Sequence, residues 1–307
     1  MSAHVYGPVP SRRLGFSLGV DIIPLKTCSF DCIYCQLGRT KKKFVLRQKF
    51  FSSQEILLSI GETIRSGRKI DFITFSGSGE PTLNRSIGKL IREIKKFAPI
   101  PVAVLTNSSL LSQKVVRKSL LEADVVVPSL DAATARTFRK VNRPEPSVKI
   151  EAIIKGLESF RREFNGKIWL EVMLVKGIND SPADIEALKG AIARINPDRV
   201  QLNTVVRPPA EKWAHPLSWR ELERMKNELG GRAEVVADFK RMPQPAATES
   251  LEEAILSFVS RRPATVRDIA VALGRSDAEV LRQLKKLLNA KKIRVIKHKG
   301  RDFYEPK

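Results

Sequence analysis

The chain has 307 residues, of which 42% are hydrophobic and 7% aromatic, a composition that fits two globular domains. No apolar run approaches the roughly 20 residues of a membrane-spanning helix, and no signal peptide opens the sequence, so we expect a cytoplasmic protein. The net charge of +22, from 55 Lys and Arg against 33 Asp and Glu, indicates a polyanionic partner. A solvated basic surface is the alternative, although such surfaces usually carry balancing Glu.

The first predicted strand, at 19–25, leads into the only three cysteines of the chain. Cys28, Cys32 and Cys35 form a C-x3-C-x2-C run on one short loop. Three thiolates bind three irons of a four-iron cubane and leave the fourth iron open to another ligand. The run therefore predicts a [4Fe-4S] cluster at which chemistry takes place.

Three other uses of clustered cysteines fit the sequence less well. A structural zinc ion needs a fourth Cys or His at short spacing, and His4, His215 and His298 do not have that spacing. A disulfide needs an oxidising compartment and leaves an odd thiol. Inert buried thiols have no reason to cluster within eight residues. We therefore favour the iron–sulfur interpretation.

A second predicted strand, Asp71 to Phe75, is followed directly by the turn Ser-Gly-Ser-Gly-Glu-Pro-Thr-Leu at 76–83. Glycines in such a turn let the backbone approach a ligand closely. The carboxylate of Glu80 is an acceptor suited to an ammonium group. The turn therefore predicts a ligand site with an acceptor for an amine.

Together, the two motifs resemble those of the radical S-adenosylmethionine (SAM) superfamily. That family carries C-x3-C-x2-C after its first strand, with an aromatic residue before the last cysteine, here Tyr34. It also carries a Gly-Gly-Glu-Pro-like turn after the second strand, matched by Ser78-Gly79-Glu80-Pro81 with Ser in place of the first Gly.

The resemblance implies a specific chemistry. The methionyl amine and carboxylate of SAM would chelate the open iron, and the turn at Gly79 and Glu80 would hold the amine. One electron from the cluster, supplied by a reductant such as ferredoxin or flavodoxin, would split the sulfonium to methionine and a 5′-deoxyadenosyl radical. That radical would abstract a hydrogen from the substrate, while the protein orients the cofactors.

Beyond the turn, strand and helix patterns alternate. This alternation predicts an α/β fold with a parallel sheet. About six such units predict a partial (β/α)6 TIM-like barrel, the core that the resemblance also implies. The remaining strands are predicted at 102–105, 124–128, 168–175 and 199–203.

Active sites of such folds lie beyond the carboxyl ends of the strands. Asn107 follows the third strand, and Ser129 and Asp131 follow the fourth. By residue type alone these are ordinary helix-capping turns. The resemblance places Asn107 and Ser129 where the family contacts the sugar and methionyl parts of the cofactor, and Asp131 is added as a further candidate. Gln201 and Asn203, near the end of the sixth strand, face adenine or substrate, or are core amides.

The alternation stops at a Pro-rich stretch, 243–248, which is the predicted linker between a domain at 1–242 and a small domain at 249–307. In the small domain, Thr265 and Ser276 each begin a capping box that marks a helix start. The small domain is predicted to contain three short helices followed by a hairpin with a basic tip. The helix that Ser276 begins carries an apolar stripe, and the whole resembles a winged helix-turn-helix domain. The stripe consists of Leu281, Leu284, Leu287 and Leu288, and the tip of Lys299, Gly300 and Arg301.

Basic residues are not confined to the small domain. Residues 246–307 hold 14 basic against 8 acidic residues, whereas residues 1–50 hold nine Lys and Arg against two Asp. The latter include Lys41, Lys42 and Lys43, just after the cysteine loop. On the helix that Ser276 begins, Arg282, Gln283, Lys285 and Lys286 form a candidate recognition surface for a nucleic-acid groove.

The N-terminal segment from Tyr6 to Asp21 looks like a branch of radical SAM proteins grouped with the wyosine-base tRNA enzymes. The archaeal wyosine enzymes use further cysteines for a second cluster, and this chain has none beyond its three. Their ring-forming reaction is therefore not expected here. The basic surface, not this likeness, predicts RNA, and tRNA first, as the partner.

Three functions stay open from the sequence. The first is a radical SAM enzyme that modifies RNA, and the second modifies or activates a protein substrate. The third is a cluster-bearing DNA-binding sensor without turnover. The intact turn from Ser78 to Glu80 counts against the sensor, which needs no methionine-binding loop.

Overall fold

A computed structural model describes residues 4–11, 13–236 and 250–307. Its main feature is an eight-stranded sheet whose strands follow in chain order from β1 to β8. The first two strands form an antiparallel hairpin, and all later neighbours in the sheet run parallel. The strands are β1 (Val5–Ser11), β2 (Gly15–Val20), β3 (Phe72–Phe75), β4 (Val102–Thr106), β5 (Val125–Pro128), β6 (Lys167–Leu174), β7 (Arg199–Thr204) and β8 (Ala233–Val235).

Helices connect each parallel strand to the next, which is why the strands run in one direction. Their apolar positions recur at helical spacing and face the sheet. In the second helix, for example, Ile87, Leu90, Ile91 and Ile94 are all fully buried. The helices are α1 (Ser53–Arg65), α2 (Ile87–Phe97), α3 (Lys114–Leu120), α4 (Ala135–Val141), α5 (Ile150–Glu163), α6 (Pro182–Ile195) and α7 (Trp219–Leu229).

The parallel α/β architecture is as predicted, but the strands differ in number and in one position. Seven strands run parallel, and an eighth, β1, pairs antiparallel with β2 at the edge of the sheet. The sequence gives little sign of β1, because Gly7, Pro8 and Pro10 are poor strand formers. The first parallel strand spans 15–20 rather than 19–25, since the chain leaves the sheet at Asp21, whose carboxylate bonds to the turn after β3.

An aromatic ring lies against a glycine in the β1–β2 hairpin. A Cβ atom on Gly19 would lie 2.0 Å from Cζ of Tyr6, so only glycine leaves room for the ring. The hydroxyl of Tyr6 lies 2.8 Å from that of Ser76, directly after β3. Through Tyr6, the edge strand therefore contacts the segment that leads into the Ser-Gly-Glu-Pro turn.

Residues 250–307 form three helices and a two-stranded antiparallel hairpin, in the predicted order. Both predicted capping boxes form, at Thr265 and Ser276. The elements are α8 (Leu251–Arg261), α9 (Val266–Leu273), α10 (Asp277–Asn289), β9 (Ile293–His298) and β10 (Arg301–Pro306). The predicted linker at 243–248 lies outside the described residues.

The buried stripe of α10 differs from the prediction at one position, because Val280 takes the place of Leu281, while Leu288 packs against the apolar cluster of this segment as predicted. Val280, Leu284 and Leu287 are fully buried, whereas Leu281 is 39% exposed. Positions 280, 284 and 287 follow the i, i+4, i+7 spacing of one helix face. Position 281 lies at the edge of that face, nearer to solvent.

The C-terminal helices pack on the edge strand of the sheet. Val9 of β1 belongs to the same apolar cluster as Ile255, Phe258 and Ile269, and Tyr6 packs against that cluster. The C-terminal segment is therefore in contact with the hairpin that leads to the cysteine loop. No helix in the described part of the chain is both long enough and apolar enough to cross a membrane.

Candidate active site

A cavity of about 380 Å³ lies where the loops that follow several parallel strands meet. A volume of this size is typical of small-molecule sites. Of the residues predicted to bind the cluster or the methionyl and sugar parts of the cofactor, all line it, whereas the further candidate Asp131 does not: the lining includes Cys28, Cys32, Tyr34, Cys35, Ser78, Gly79, Glu80, Asn107 and Ser129. The fold therefore brings the cysteine loop and the Ser-Gly-Glu-Pro turn to one chamber.

Two of the cysteine sulfurs accept hydrogen bonds from amide side chains. Asn107 Nδ2 lies 3.4 Å from the sulfur of Cys28, and Asn142 Nδ2 lies 3.4 Å from the sulfur of Cys32. Hydrogen bonds to cluster sulfurs are one means by which a protein sets a cluster's reduction potential. Asn142 is distant from the cysteine loop in sequence, and α4 ends directly before it.

The third cysteine has a charged neighbour. Lys26 Nζ lies 3.2 Å from the sulfur of Cys35 and 2.6 Å from the carbonyl oxygen of Gly38. Each sulfur in the loop thus has a side-chain nitrogen donor, and these three donors come from three different parts of the chain.

The chemistry of the thiols fits an iron–sulfur cluster. Burial raises the pKa of Cys28 to about 12, and burial likewise raises the pKa of Cys32 well above its usual range. Bound iron reverses this preference, because a coordinating thiol is deprotonated outright. The N–H donors at the sulfurs then stabilise thiolates. All three cysteines are free of disulfide bonds.

The turn after β3 is fixed against the chain just before the cysteine loop. The backbone N–H of Glu80 donates to the carbonyl oxygen of Thr27 over 3.0 Å. A Cβ atom on Gly79 would lie 1.9 Å from that same oxygen, so glycine is required there. The hydroxyl of Ser78 donates to the carboxylate of Asp21 over 2.5 Å. These contacts hold the turn beside the cysteines.

Glu80 is buried and makes hydrogen bonds to two neighbouring segments, which the sequence does not predict. Its carboxylate is 1% exposed and accepts four hydrogen bonds, from the backbone N–H and hydroxyl of Thr82, the hydroxyl of Thr106 and the backbone N–H of Asn107. Three of these bonds go to Oε1 and only the one from Asn107 goes to Oε2, so Oε2 keeps an acceptor position. The side chain therefore ties the turn after β3 to the end of β4, and it also lines the cavity.

The comparison with known proteins fits this geometry. Residues 22–188 match the family model described as the Radical SAM superfamily, and this span includes the cysteine loop and the turn after β3. The chain belongs to the radical SAM superfamily. It is therefore a radical SAM enzyme, and the cofactors of the superfamily are a [4Fe-4S] cluster and SAM.

Within the superfamily, the chain is similar to UPF0026 proteins. It is 34% identical over 306 residues to the UPF0026 protein of Methanocaldococcus jannaschii, covering 97% of this chain and 94% of that one, and it belongs to that family. It is 41% identical over 293 residues to a protein of Brachyspira hyodysenteriae named GTPase Obg. That alignment covers 94% of this chain but only 43% of the longer protein.

A solved structure shares the fold of this radical SAM enzyme. A radical SAM methyltransferase from Sphaerobacter thermophilus superposes with a TM-score of 0.57 at 18% identity, covering 74% of this chain and 67% of that chain. A likeness at this identity shows a common fold and carries no reaction across.

The placement of Asp131 corrects the prediction that it contacts the cofactor. It is 2% exposed and lies outside the lining of the main cavity. Its carboxylate accepts hydrogen bonds from the hydroxyl of Tyr34 at 2.5 Å, from Asn142 Nδ2 at 2.6 Å and from the backbone N–H of Met173 at 2.9 Å. Burial raises the pKa of Asp131 to about 6, although the hydrogen bonds from Tyr34, Asn142 and Met173 lower this pKa in part. Asp131 therefore orients Tyr34 and Asn142.

The two amides predicted near the end of the sixth strand have different environments. Asn203 lines the cavity, and its Nδ2 lies 3.2 Å from Oε1 of Glu171. Gln201 is 1% exposed, lies outside the lining and donates to Glu234. The interpretation as a core amide therefore suits Gln201, and Asn203 is the one that faces the chamber.

Sequence reasoning missed an ion pair in the cavity wall. Arg13 Nη1 lies 2.6 Å from Oε1 of Glu171, with both side chains at least 85% buried. The nitrogen has no aligned hydrogen bond, so the pair is held mainly by charge at short range. Arg13 lies in the turn between β1 and β2, and Glu171 lies in β6, so no local sequence pattern links them.

Arg262 is a second lining residue without a sequence signal. It follows α8 in the C-terminal segment, more than 200 residues from the cysteines, and it lines the same cavity. Only the packing of the C-terminal helices on β1 brings it there.

Proposed function

We propose that this radical SAM enzyme modifies a nucleoside in RNA, with tRNA as the first candidate. The observation that carries the proposal is the combination of a cofactor-sized chamber, lined by the cysteines and the turn, with a net charge of +22 on the whole chain. Soluble enzymes that act on small neutral metabolites have no need of such a charge, whereas neutralising phosphates supplies most of the affinity in RNA binding.

In the proposed enzyme, Cys28, Cys32 and Cys35 hold the cluster, and the turn from Ser78 to Glu80 receives the methionyl end of SAM. When bound, the two cofactors supply an electron and the hydrogen-abstracting chemistry of the superfamily. Three nitrogen donors stabilise the thiolates, and the half-buried position of the cysteines limits their contact with water.

The surface near the cysteine loop supports an RNA partner. Lys41 and Lys42 are exposed there. Lys43 is different, because its ammonium donates to the carbonyl oxygens of Arg143 and Pro144 over 3.2 and 3.0 Å. We therefore assign backbone contacts with RNA to Lys41 and Lys42, and a structural role to Lys43.

We infer that residues 249–307 are a winged helix-turn-helix domain joined by a linker at 243–248 to the enzyme domain. Three helices followed by a two-stranded hairpin support this assignment. Arg282, Lys285 and Lys286 are exposed on α10, as a groove-binding helix requires, whereas Gln283 bonds to Glu252. This surface is the observation that favours the DNA-binding sensor as the second candidate.

The experiment separates turnover from sensing. The protein is reconstituted anaerobically with iron and sulfide, reduced with dithionite and incubated with SAM. Methionine and 5′-deoxyadenosine are the expected products. In parallel, mass spectrometry of tRNA from a deletion strain should show that one modified nucleoside of the wild-type tRNA is missing. A reconstituted cluster that yields neither product, in a protein that binds duplex DNA tightly, would support the sensor instead. Products formed without any change in tRNA would favour a protein substrate.

A further inference from the structure

An exposed tryptophan lies outside the chamber, in the loop between β7 and α7. Trp213 is 47% exposed, although tryptophan is on average highly buried in folded proteins. It belongs neither to the cofactor motifs nor to the cavity lining. Arg143 lies over one face of its ring, with the guanidinium carbon 5.9 Å from the ring centre, within the range of a cation–π contact. The exposed part of the indole is therefore available to a further partner.

The loop that carries Trp213 is joined to the cysteine loop. The backbone N–H of Glu211 donates to the carbonyl oxygen of Ile33, in the cysteine loop, over 3.0 Å. Its carboxylate oxygen Oε1 lies 3.0 Å from Nη1 of Arg39, just after the cysteines. Nη1 of Arg143 lies 2.6 Å from the same oxygen. These contacts hold the indole, with Arg143 on its face, beside the loop that carries the cysteines.

The two joined loops also form part of the chamber wall. Gln36 and Thr40 line the cavity from the cysteine loop, and residues 205–207 line it from the loop after β7. Trp213 follows this second segment in the chain and lies outside the lining. Together with the contacts of Glu211, this order places the indole on the outer side of the wall.

The charge of this surface suits a polyanion without counting any paired cation. Arg39 and Arg143 are balanced by the carboxylates of Asp31 and Glu211, at distances between 2.6 and 3.6 Å. This network therefore supplies position and no excess charge. The excess charge comes from three exposed lysines that form no ion pair within residues 4–11, 13–236 and 250–307. They are Lys41 and Lys42, which follow the cysteine loop, and Lys212, directly before Trp213.

We propose that Trp213 is a stacking platform for an unpaired base of the RNA substrate, beside the nucleotide that enters the chamber. Aromatic side chains stack with bases that lie outside a helix, and basic residues alongside bind the backbone. Enzymes that act on a base take it out of its stack, which leaves the neighbouring base without a partner on one side. An indole on the outer side of the wall covers such a base. This platform rests on the proposed function, because both require RNA as the partner.

The test measures binding of tRNA from a deletion strain to the reconstituted full-length protein, by filter binding across a series of salt concentrations. Trp213→Ala should bind about tenfold more weakly at every salt concentration. The salt slope should stay the same, because stacking on an uncharged ring releases no counterions. Trp213→Phe keeps an aromatic ring and should lie between the wild type and Trp213→Ala. The matched control is Trp219→Ala, since Trp219 begins α7 and is likewise exposed, at 54%.

A comparison of two forms of RNA separates stacking from charge. A short single-stranded RNA offers unpaired bases, whereas a duplex of the same sequence does not. Trp213→Ala should weaken binding of the single strand and leave binding of the duplex unchanged. An equal loss for both forms would contradict stacking. Unchanged iron content and circular dichroism show that the variants are folded and hold the cluster.

Each outcome decides a different claim. If tRNA binds the wild type and Trp213→Ala equally, the platform is overturned while the proposed RNA function stands. An equal loss in Trp219→Ala also overturns it, because the effect then does not belong to Trp213. If binding depends on Trp213 but the bound tRNA is not modified in the presence of SAM and dithionite, the platform stands and the proposed function fails. A wild type that binds neither tRNA nor single-stranded RNA overturns both.

Discussion

The ammonium nitrogen of Lys26 lies 3.2 Å from the sulfur of Cys35. A positive charge at this distance stabilises a cluster more after it has gained an electron than before. The same reasoning, with a smaller effect, applies to the amide donors Asn107 and Asn142 at the other two sulfurs.

Lys26→Met should therefore lower the reduction potential of the cluster. Loss of one charge-assisted contact, worth about 1.5–3 kcal/mol, corresponds to about 60 mV or more for a one-electron couple. Potentiometric titration monitored by electron paramagnetic resonance measures the shift. Lys155→Met, in an exposed residue of α5, is the matched control and should leave the potential unchanged. An unaltered potential in Lys26→Met contradicts the assigned contact.

Replacement of any one of Cys28, Cys32 and Cys35 by Ala should abolish formation of 5′-deoxyadenosine, because two thiolates do not hold the cubane securely. The fold should survive, since the apolar core consists mainly of strand and helix residues outside this loop. Iron analysis and circular dichroism check both halves of the prediction. Full cofactor cleavage by any of these variants would show that the replaced cysteine is not a ligand of the cluster.

Glu80→Ala should destabilise the fold as well as the cofactor site. It leaves buried donors of Thr82, Thr106 and Asn107 without an acceptor, and each such group costs about 1–3 kcal/mol. We expect a loss of about 3 kcal/mol or more in the free energy of unfolding, measured by urea denaturation. Glu80→Gln keeps one oxygen and should lose less.

The control for this prediction is Glu186→Ala, since the side chain of Glu186 is 77% exposed and its change should have almost no effect. If Glu80→Ala is as stable as wild type but binds SAM weakly, the carboxylate acts directly on the ligand, as the sequence first indicates.

Neutralising Lys41 and Lys42 together should reduce the salt slope of tRNA binding by about 1.5–2 units if both contact phosphates. The matched control is the pair Lys155 and Lys189, both exposed on α5 and α6. Lys43→Gln belongs to a different class, because its ammonium bonds to two carbonyl oxygens, and a stability measurement should register its loss. Equal salt slopes for the wild type, the test pair and the control pair would show that Lys41 and Lys42 do not contact the RNA phosphates.

The features that the sequence predicts well are local. The cysteine spacing and the turn from Ser78 to Glu80 each lie within one short segment, and the fold brings both to the cavity. Capping boxes at Thr265 and Ser276 are also local, because a helix start depends on residues three positions apart.

The features that the sequence does not predict depend on tertiary contacts. Asn142 reaches Cys32 across 110 positions, and Arg13 reaches Glu171 through the folding of the edge hairpin. Asp131 follows a strand end, a position that indicates a cofactor contact, yet its carboxylate accepts hydrogen bonds from Tyr34 and Asn142. An Asp that contacts a cofactor and an Asp that only orients buried neighbours can occupy the same position in a βα unit. The sequence alone therefore does not distinguish the two roles.

The most direct measurement of the central claim is the yield of 5′-deoxyadenosine from the reduced, reconstituted protein, with and without tRNA from a deletion strain. We predict cleavage of SAM in both cases and a clear stimulation by this tRNA, but not by tRNA from the wild-type strain, whose target nucleoside is already modified. Absence of 5′-deoxyadenosine from a protein with a complete cluster contradicts the assignment as a working radical SAM enzyme. Equal yields with both tRNA samples and with none contradict tRNA as its substrate.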